Sequence, residues 1–267
     1  MSVTVMKYSS PAWPLALTEG ARALGELPLL PAAEFVLKLA PKGDGHPVIV
    51  CPGFLTGDGS TGLLRRFLRS KNYRVYGWNL GRNLGPGETG EKFEQLAAHV
   101  EAVTDEYGEP VSLVGWSLGG VMAREIAKQD PDRVRQVITL GSPLSGNSQN
   151  TSISWLYNQV AGDPALVQHY RELIENLHLP PEKVPSTAIF TRGDGIVHWR
   201  SSLEPRAAFT DNIEVYSSHC GLGISPFVYF AIADRLMQSA DDWAPFDRNA
   251  SAWRKVAYPS AGHVYDR

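Results

Sequence analysis

Gly115-Trp116-Ser117-Leu118-Gly119-Gly120 constrains this chain more than any other stretch. It follows the apolar run Val111-Ser112-Leu113-Val114, which reads as a buried strand, and precedes Val121 to Ala127, which reads as a helix. A serine held by glycines between a strand and a helix marks a strained turn that lifts the hydroxyl out of a sheet. Gly115 and Gly119 fall where strand and incoming helix come closest, and a side chain there would push them apart; Gly120 extends the same approach. The helix behind Ser117 directs N–H groups and the positive end of its dipole at the serine, which suits an anionic tetrahedral intermediate. Ser117 is the candidate nucleophile.

The flanking pattern supplies the scaffold such a turn needs. Val48 to Cys51, Arg74 to Trp78, Val111 to Val114, Gln136 to Leu140, Thr187 to Phe190 and Asn212 to Tyr216 read as strands. Helices are expected over Gly62 to Ser70, Thr89 to Tyr107, the stretch after Ser117 and Ile224 to Met237. Strands that are apolar throughout and alternate with helices indicate an α/β chain with a mostly parallel sheet covered on both faces. At 267 residues the chain is read as one domain, 1–267, with additions. Residues 1–46 form an N-terminal helical segment, broken at Pro14, Pro28 and Pro31. Residues 147–185 carry helical pieces and no strand, and read as a cap or lid over the crevice, the alternative being a plain crossover. Residues 241–267 are a C-terminal extension with Trp243, Phe246, Trp253, Tyr258 and Tyr265, expected to pack on the body or on a neighbouring subunit.

Composition removes several functional classes. With 25 basic and 28 acidic residues and a net charge of −3, the chain offers no basic stripe for nucleic acid. No apolar run reaches membrane-span length, and Met1 to Lys7 lacks the pattern of a secretory signal, so a cytoplasmic location is expected. Cys51 and Cys220 cannot form a disulfide framework and read as free thiols. No His, Cys, Asp or Glu cluster has metal-ligand spacing, and Gly57-Asp58-Gly59 lacks the lysine of a phosphate loop; no metal or cofactor is expected.

A serine hydroxyl becomes a nucleophile when a base takes its proton and an acid orients that base. His219 has the best position of the seven histidines, in the loop between the last strand and the closing helix, at the sheet edge where the Ser117 turn opens. His198 competes; His46 belongs to the opposite edge; His99, His169 and His178 fall on helical stretches; His263 has no assigned place. Asp194, in Thr191-Arg192-Gly193-Asp194-Gly195, follows a strand end, and its glycines are read as permitting a tight turn that points the carboxylate inward. Asp211, taken to precede its strand, and Glu214, within it, are weaker candidates.

The order Ser117, Asp194, His219 resembles that of α/β-hydrolases. The turn, the helix carrying Arg124, and Val137 to Gly146 are similar to the bacterial lipase and esterase branch, and the superfamily resemblance covers about Pro47 to Gln238. It implies an α/β-hydrolase fold and a two-part oxyanion hole. Gly53-Phe54 matches the Gly-X form whose X residue donates its backbone N–H, and Leu118, after the serine, donates the second. The departures are Pro52 where many such lipases have His, and the absence of a Gly-Gly-Gly form; Gly53 equally fits an ordinary turn.

The expected pocket is apolar, formed by Leu55, Trp116, Trp155 and Leu156 beside the oxyanion residues, unless Trp116 packs below the turn. The implied activity is a serine carboxylic-ester hydrolase (esterase or lipase) acting on a hydrophobic, small-molecule or lipid-like ester through an acyl-enzyme. An acyltransferase or thioesterase on the same triad, or a non-catalytic binding member of the fold, are the alternatives.

Overall fold

The computed structural model describes residues 11–29, 33–85, 91–145, 176–239 and 242–263. Its centre is a six-stranded sheet of β1 (Pro47–Cys51), β2 (Arg74–Gly77), β3 (Val111–Trp116), β4 (Val134–Leu140), β5 (Ser186–Phe190) and β6 (Thr210–Glu214). The spatial order is β2-β1-β3-β4-β5-β6, and every pairing is parallel. Parallel neighbours need a crossover, and helices α3 (Gly62–Ser70), α4 (Glu91–Tyr107) and α5 (Leu118–Gln129) follow β1, β2 and β3, while α6 (Pro226–Leu236) follows β6.

The period-two alternation of β1 decides which face each residue covers. Val48 and Val50 join Val114, Ile138 and Ile189 in one layer, under Leu64, Phe67 and Leu68 of α3 and Val228 to Leu236 of α6. Ile49 and Cys51 face the other way, against Leu96, Val100 and Val103 of α4 and Met122, Ala123 and Ile126 of α5. Fully burying each such side chain contributes about 1.5–3 kcal/mol. The register sets Cys51 beside Gly115, Gly115 beside Thr139 and Leu140 beside Ile189. The loops that leave these strand ends therefore open at one edge.

Three local expectations are corrected. Pro14 does not break a helix: α1 (Trp13–Glu26) carries it in its first turn, where the missing N–H has no intrahelical acceptor to lose. A shorter helix, α2 (Glu34–Leu39), follows. The last strand starts and ends two residues earlier than its apolar residues suggest, because β6 pairs Thr210 with Ser186 through to Glu214 with Phe190. Asp211 thus lies inside the strand, where burial raises its pKa while the N–H groups of Phe246 (2.7 Å) and Gly262 (3.1 Å) hold its carboxylate. Those bonds, with Ser260 Oγ donating to Glu214 at 2.8 Å, fasten the C-terminal extension to the sheet. Trp253 completes the attachment, edge-on to Phe230 of α6 at 4.8 Å, together with the Tyr258 hydroxyl, which donates to the Phe227 carbonyl at 2.8 Å, so the extension packs on the body of its own chain. The proposed cap at 147–185 lies outside the described residues except for 176–185.

Candidate active site

Ser117 adopts φ 52°, ψ −120°, a left-handed backbone that a non-glycine residue holds at a cost of about 1–3 kcal/mol. The surroundings fix it there. Its N–H donates to the Leu140 carbonyl at 2.8 Å, and its own carbonyl accepts from Gly120 at 3.0 Å. A Cβ on Gly115 would stand 2.5 Å from the Gly119 carbonyl oxygen, one on Gly119 2.6 Å from that of Cys51, and one on Gly120 2.7 Å from that of Gly115. Each would collide with backbone, so the motif's glycines are required by contact between β3, the start of α5 and the end of β1. Leu118 opens α5, which leaves its N–H without an intrahelical acceptor.

Asp194 and His219 meet beside this turn. Asp194 Oδ1 accepts the N–H groups of Ile196 (2.8 Å) and Val197 (2.7 Å), and its Oδ2 lies 2.6 Å from His219 Nδ1. With the carboxylate ionised, Nδ1 carries the donated proton and Nε2 is the basic nitrogen. Both side chains are almost fully buried. Gly141, at φ +55°, tightens the arrangement: a Cβ there would sit 3.1 Å from both Asp194 Oδ2 and His219 Nδ1. Gly141 directly follows Leu140, the acceptor of the Ser117 N–H, so one short turn after β4 touches the serine backbone and the acid–base pair. Trp116 closes the same circuit by donating its indole N–H to the His219 carbonyl at 3.2 Å, with the two rings 6.3 Å apart.

Gly193 lies in a tight turn, with the Asp194 N–H donating to the Thr191 carbonyl at 3.3 Å, and the glycines beside Asp194 meet a further constraint. Neither Gly193 nor Gly195 has a positive φ. A Cβ on Gly193 would stand 2.6 Å from the Ser217 carbonyl oxygen, and one on Gly195 would strike the Leu15 carbonyl and, at 2.7 Å, the Glu19 carboxylate. They are glycines of close approach, and part of what approaches is α1.

The other residues singled out in the sequence are distributed as follows. Gly53 lies against the turn, where a Cβ would be 3.5 Å from Ser117 Cβ. Phe54 packs with Leu118, Val121 and Leu177 into a small apolar cluster. Leu55 is exposed at φ 60°, its N–H donating to the Asn83 carbonyl at 2.7 Å. Buried Asn83, which the sequence does not single out, also donates from Nδ2 to the Pro52 carbonyl at 2.8 Å and so pins the 52–55 loop from both ends. Trp116 rests against Gly223 in the His219 loop. Trp155 and Leu156 lie outside the described residues.

The competing titratable groups are engaged elsewhere. His198 stacks on Trp199 at 6.2 Å, and burial, then the charge of Arg200, lowers its pKa. Glu214 faces Arg192 at 3.2 Å as well as Ser260. His46 forms a second Asp-His-Ser chain, Nδ1 with Asp44 and Nε2 2.8 Å from Ser112 Oγ, but at the start of β1 and β3, with His46 and Ser112 sealed from solvent. The two cysteines are free; burial pushes the Cys51 thiol up to about 12 and the Cys220 thiol to about 11, which keeps both protonated at neutral pH. Among the described residues no three His, Cys, Asp or Glu side chains group as metal ligands, and no helix is long and apolar enough to cross a membrane.

A parallel sheet, a serine at a strained strand-to-helix turn and a His–Asp pair at the same edge define an α/β enzyme-like architecture of the hydrolase type. Residues 46–182 match the family described as alpha/beta hydrolase fold, and the chain belongs to that family. A stretch of 101 residues is 31% identical to pimeloyl-[acyl-carrier protein] methyl ester esterase of Nitrosospira multiformis, covering 36% of this chain and 38% of that relative. Among solved structures the fold is similar to Aspergillus fumigatus lipase B, with TM-score 0.57, 18% identity, and coverage of 74% of this chain and 55% of that one. It is also similar to the Paleococcus ferrophilus monoacylglycerol lipase, with TM-score 0.55, 17% identity, and coverage of 74% and 96%.

Proposed function

We propose that this protein is a serine carboxylic-ester hydrolase in which Ser117, His219 and Asp194 form the catalytic triad. The observation that carries this reading is the 2.6 Å contact between His219 and Asp194, held by Gly141 at the edge where Ser117 projects from its turn. In this reading His219 Nε2 takes the Ser117 proton as Oγ attacks the acyl carbon, and Asp194 stabilises the resulting imidazolium. The N–H groups of Phe54 and Leu118 stabilise the oxyanion. His219 then returns the proton to the leaving alkoxide, leaving an acyl-serine. A water deprotonated by His219 attacks that acyl group, and the acid departs as Ser117 recovers its proton.

The substrate class is an ester with an apolar acyl or alcohol part. Phe54, Leu118, Val121 and Leu177 form an apolar wall against the start of α5, and the related protein from Nitrosospira carries the name of an ester hydrolase. Leu55 and Trp116 belong to the same proposed pocket. The test is labelling with a reactive fluorophosphonate together with hydrolysis of p-nitrophenyl esters of increasing chain length. Wild-type protein should be labelled and active, and Ser117→Ala inert in both assays. Absence of labelling at Ser117 and of hydrolysis at every chain length sinks the proposal.

A further inference from the structure

Helix α1 presents an inverted surface. An amphipathic helix normally turns its apolar stripe inward. In α1 the one buried residue is Glu19, while Trp13, Leu17 and Leu24 are 74%, 76% and 69% exposed. Its inward positions Leu15, Glu19, Arg22, Ala23 and Glu26 fall at helical spacing, and three of these five are charged. Their partners are the loops that carry Asp194 and His219.

Glu19 bridges those loops directly. Its Oε2 accepts the N–H of Gly195 at 3.0 Å, and its Oε1 accepts the N–H of Cys220 at 2.8 Å. Gly195 follows Asp194 in the chain, and Cys220 follows His219. One carboxylate therefore ties the neighbour of the acid to the neighbour of the base. Arg22, paired with Glu19 at 2.7 Å, donates to the Gly193 carbonyl at 2.5 Å, on the other side of Asp194. Glu26 accepts the N–H of Ser218 at 2.7 Å and the hydroxyl of Ser217 at 2.5 Å, on the other side of His219. Asp194 and His219 are each flanked, before and after, by a residue bonded to α1.

The loops are also cut to fit the helix. A Cβ on Gly195 would strike the Leu15 carbonyl, one on Gly221 would strike the Glu26 carboxylate, and one on Gly193 would come within 3.3 Å of Arg22. A buried carboxylate with backbone N–H partners is costly to lose, since its removal leaves the donors unpaired.

We propose that Glu19, supported by Arg22 and Glu26, is a positioning residue that sets the distance and orientation of the Asp194–His219 pair, making α1, which lies outside the matched family region, a working part of the site. The proposal rests on the triad reading given above. A shift of about 1 Å in a catalytic group can cost about 100-fold in rate. Glu19→Ala should lower kcat by about that factor on a short p-nitrophenyl ester, with KM changed less than about twofold, because α1 touches the acid–base loops and not the proposed acyl wall. Glu19→Gln, which retains one carbonyl acceptor, should fall between Glu19→Ala and wild type, and Leu17→Gln on the exposed face should match wild type.

A second readout is independent of turnover. The Nδ1 proton of a short imidazole–carboxylate hydrogen bond gives a far-downfield proton resonance, here assigned by its loss in Asp194→Ala. Glu19→Ala should broaden or abolish it at a temperature where urea titration shows the variant folded. Wild-type kcat and an intact resonance in Glu19→Ala overturn the proposal. So does a kcat loss that only tracks the unfolded fraction in both Glu19 variants. If wild-type protein shows no Ser117-dependent turnover, the hydrolase reading fails, and the resonance alone decides whether Glu19 positions the pair.

Discussion

The indole N–H of Trp116 donates to the backbone carbonyl of His219 at 3.2 Å, so the residue preceding Ser117 holds the loop that carries its proposed base. The bond is neutral and single, which places its worth at about 1 kcal/mol. Trp116→Phe keeps most of the ring against Gly223 and removes only the donor. Its kcat should fall by about fivefold, the rate equivalent of that energy, without a matching change in KM. A steady-state profile indistinguishable from wild type would show that the bond does not position His219.

Asp194 divides its oxygens between two tasks, Oδ1 to the N–H groups of Ile196 and Val197 and Oδ2 to His219. Asparagine can keep the first task but presents an NH2 group to Nδ1. The imidazole must then accept at Nδ1 and carry its proton on Nε2, the wrong tautomer to receive the Ser117 proton. Asp194→Asn should therefore lose about 1,000- to 10,000-fold in kcat with little change in thermal midpoint. Ester turnover within tenfold of wild type would remove Asp194 from the proposed triad.

Much of this arrangement was legible because its signals are local. Gly115 to Gly120 announces the turn within six residues, Asp194 follows the apolar run that ends at Phe190, and His219 falls in the loop before the closing apolar helix. What stayed hidden depends on long-range partners. Glu19 lies in the N-terminal helical segment, where nothing nearby in sequence signals Gly195 or Cys220, 176 and 201 residues away. The same applies to Asn83, whose grip on Pro52 spans 31 residues. Asp211 misled through chemistry: a carboxylate is a poor strand residue until Phe246 and Gly262 supply N–H partners, and those partners come from the C-terminal extension. Gly195 is constrained by the α1 backbone and carboxylate and Gly193 by the Ser217 carbonyl, partners that lie in other parts of the chain and are not visible beside Asp194 in sequence.

Arg124 marks the α5 helix in sequence, and its partner Glu204 lies 80 residues on. The two form a bidentate pair at 2.7 and 2.8 Å with both side chains fully buried, while Arg124 also donates to the Leu177 carbonyl at 2.6 Å and Ser186 Oγ donates to Glu204. Removing one partner strands a buried charge. Arg124→Ala should lower unfolding free energy by about 3–5 kcal/mol, read from urea titration. Arg124→Met combined with Glu204→Leu replaces both charges with apolar volume and should recover much of the loss. A single variant as stable as wild type would mean that the pair is not sealed from water in solution.

His46 gives stability a defined pH dependence. Burial, then the charge of Arg135, lowers its pKa in the native state, against the opposing pull of Asp44 and Glu109, while Tyr73 meets it edge-on at 5.0 Å. His198 is lowered in the same sense by burial and Arg200. An unfolded histidine titrates near about 6.5, so below that pH the unfolded chain binds protons that the native state resists. Stability is full above about 6.5 and falls as pH drops, with a slope of at most about 1.4 kcal/mol per pH unit for each histidine. Asp44 acts in a lower window: burial opposes its ionisation, yet the hydrogen bond to His46 and the charge of Arg135 hold its pKa at about 2. Its contribution is therefore lost only between about pH 4 and 2. Urea midpoints measured from pH 7 to 5 should decline, and His46→Gln should flatten that decline by removing an imidazole whose pKa burial lowers. Parallel slopes for wild type and His46→Gln would show that His46 titrates alike in both states and that its burial has no consequence for stability in this range.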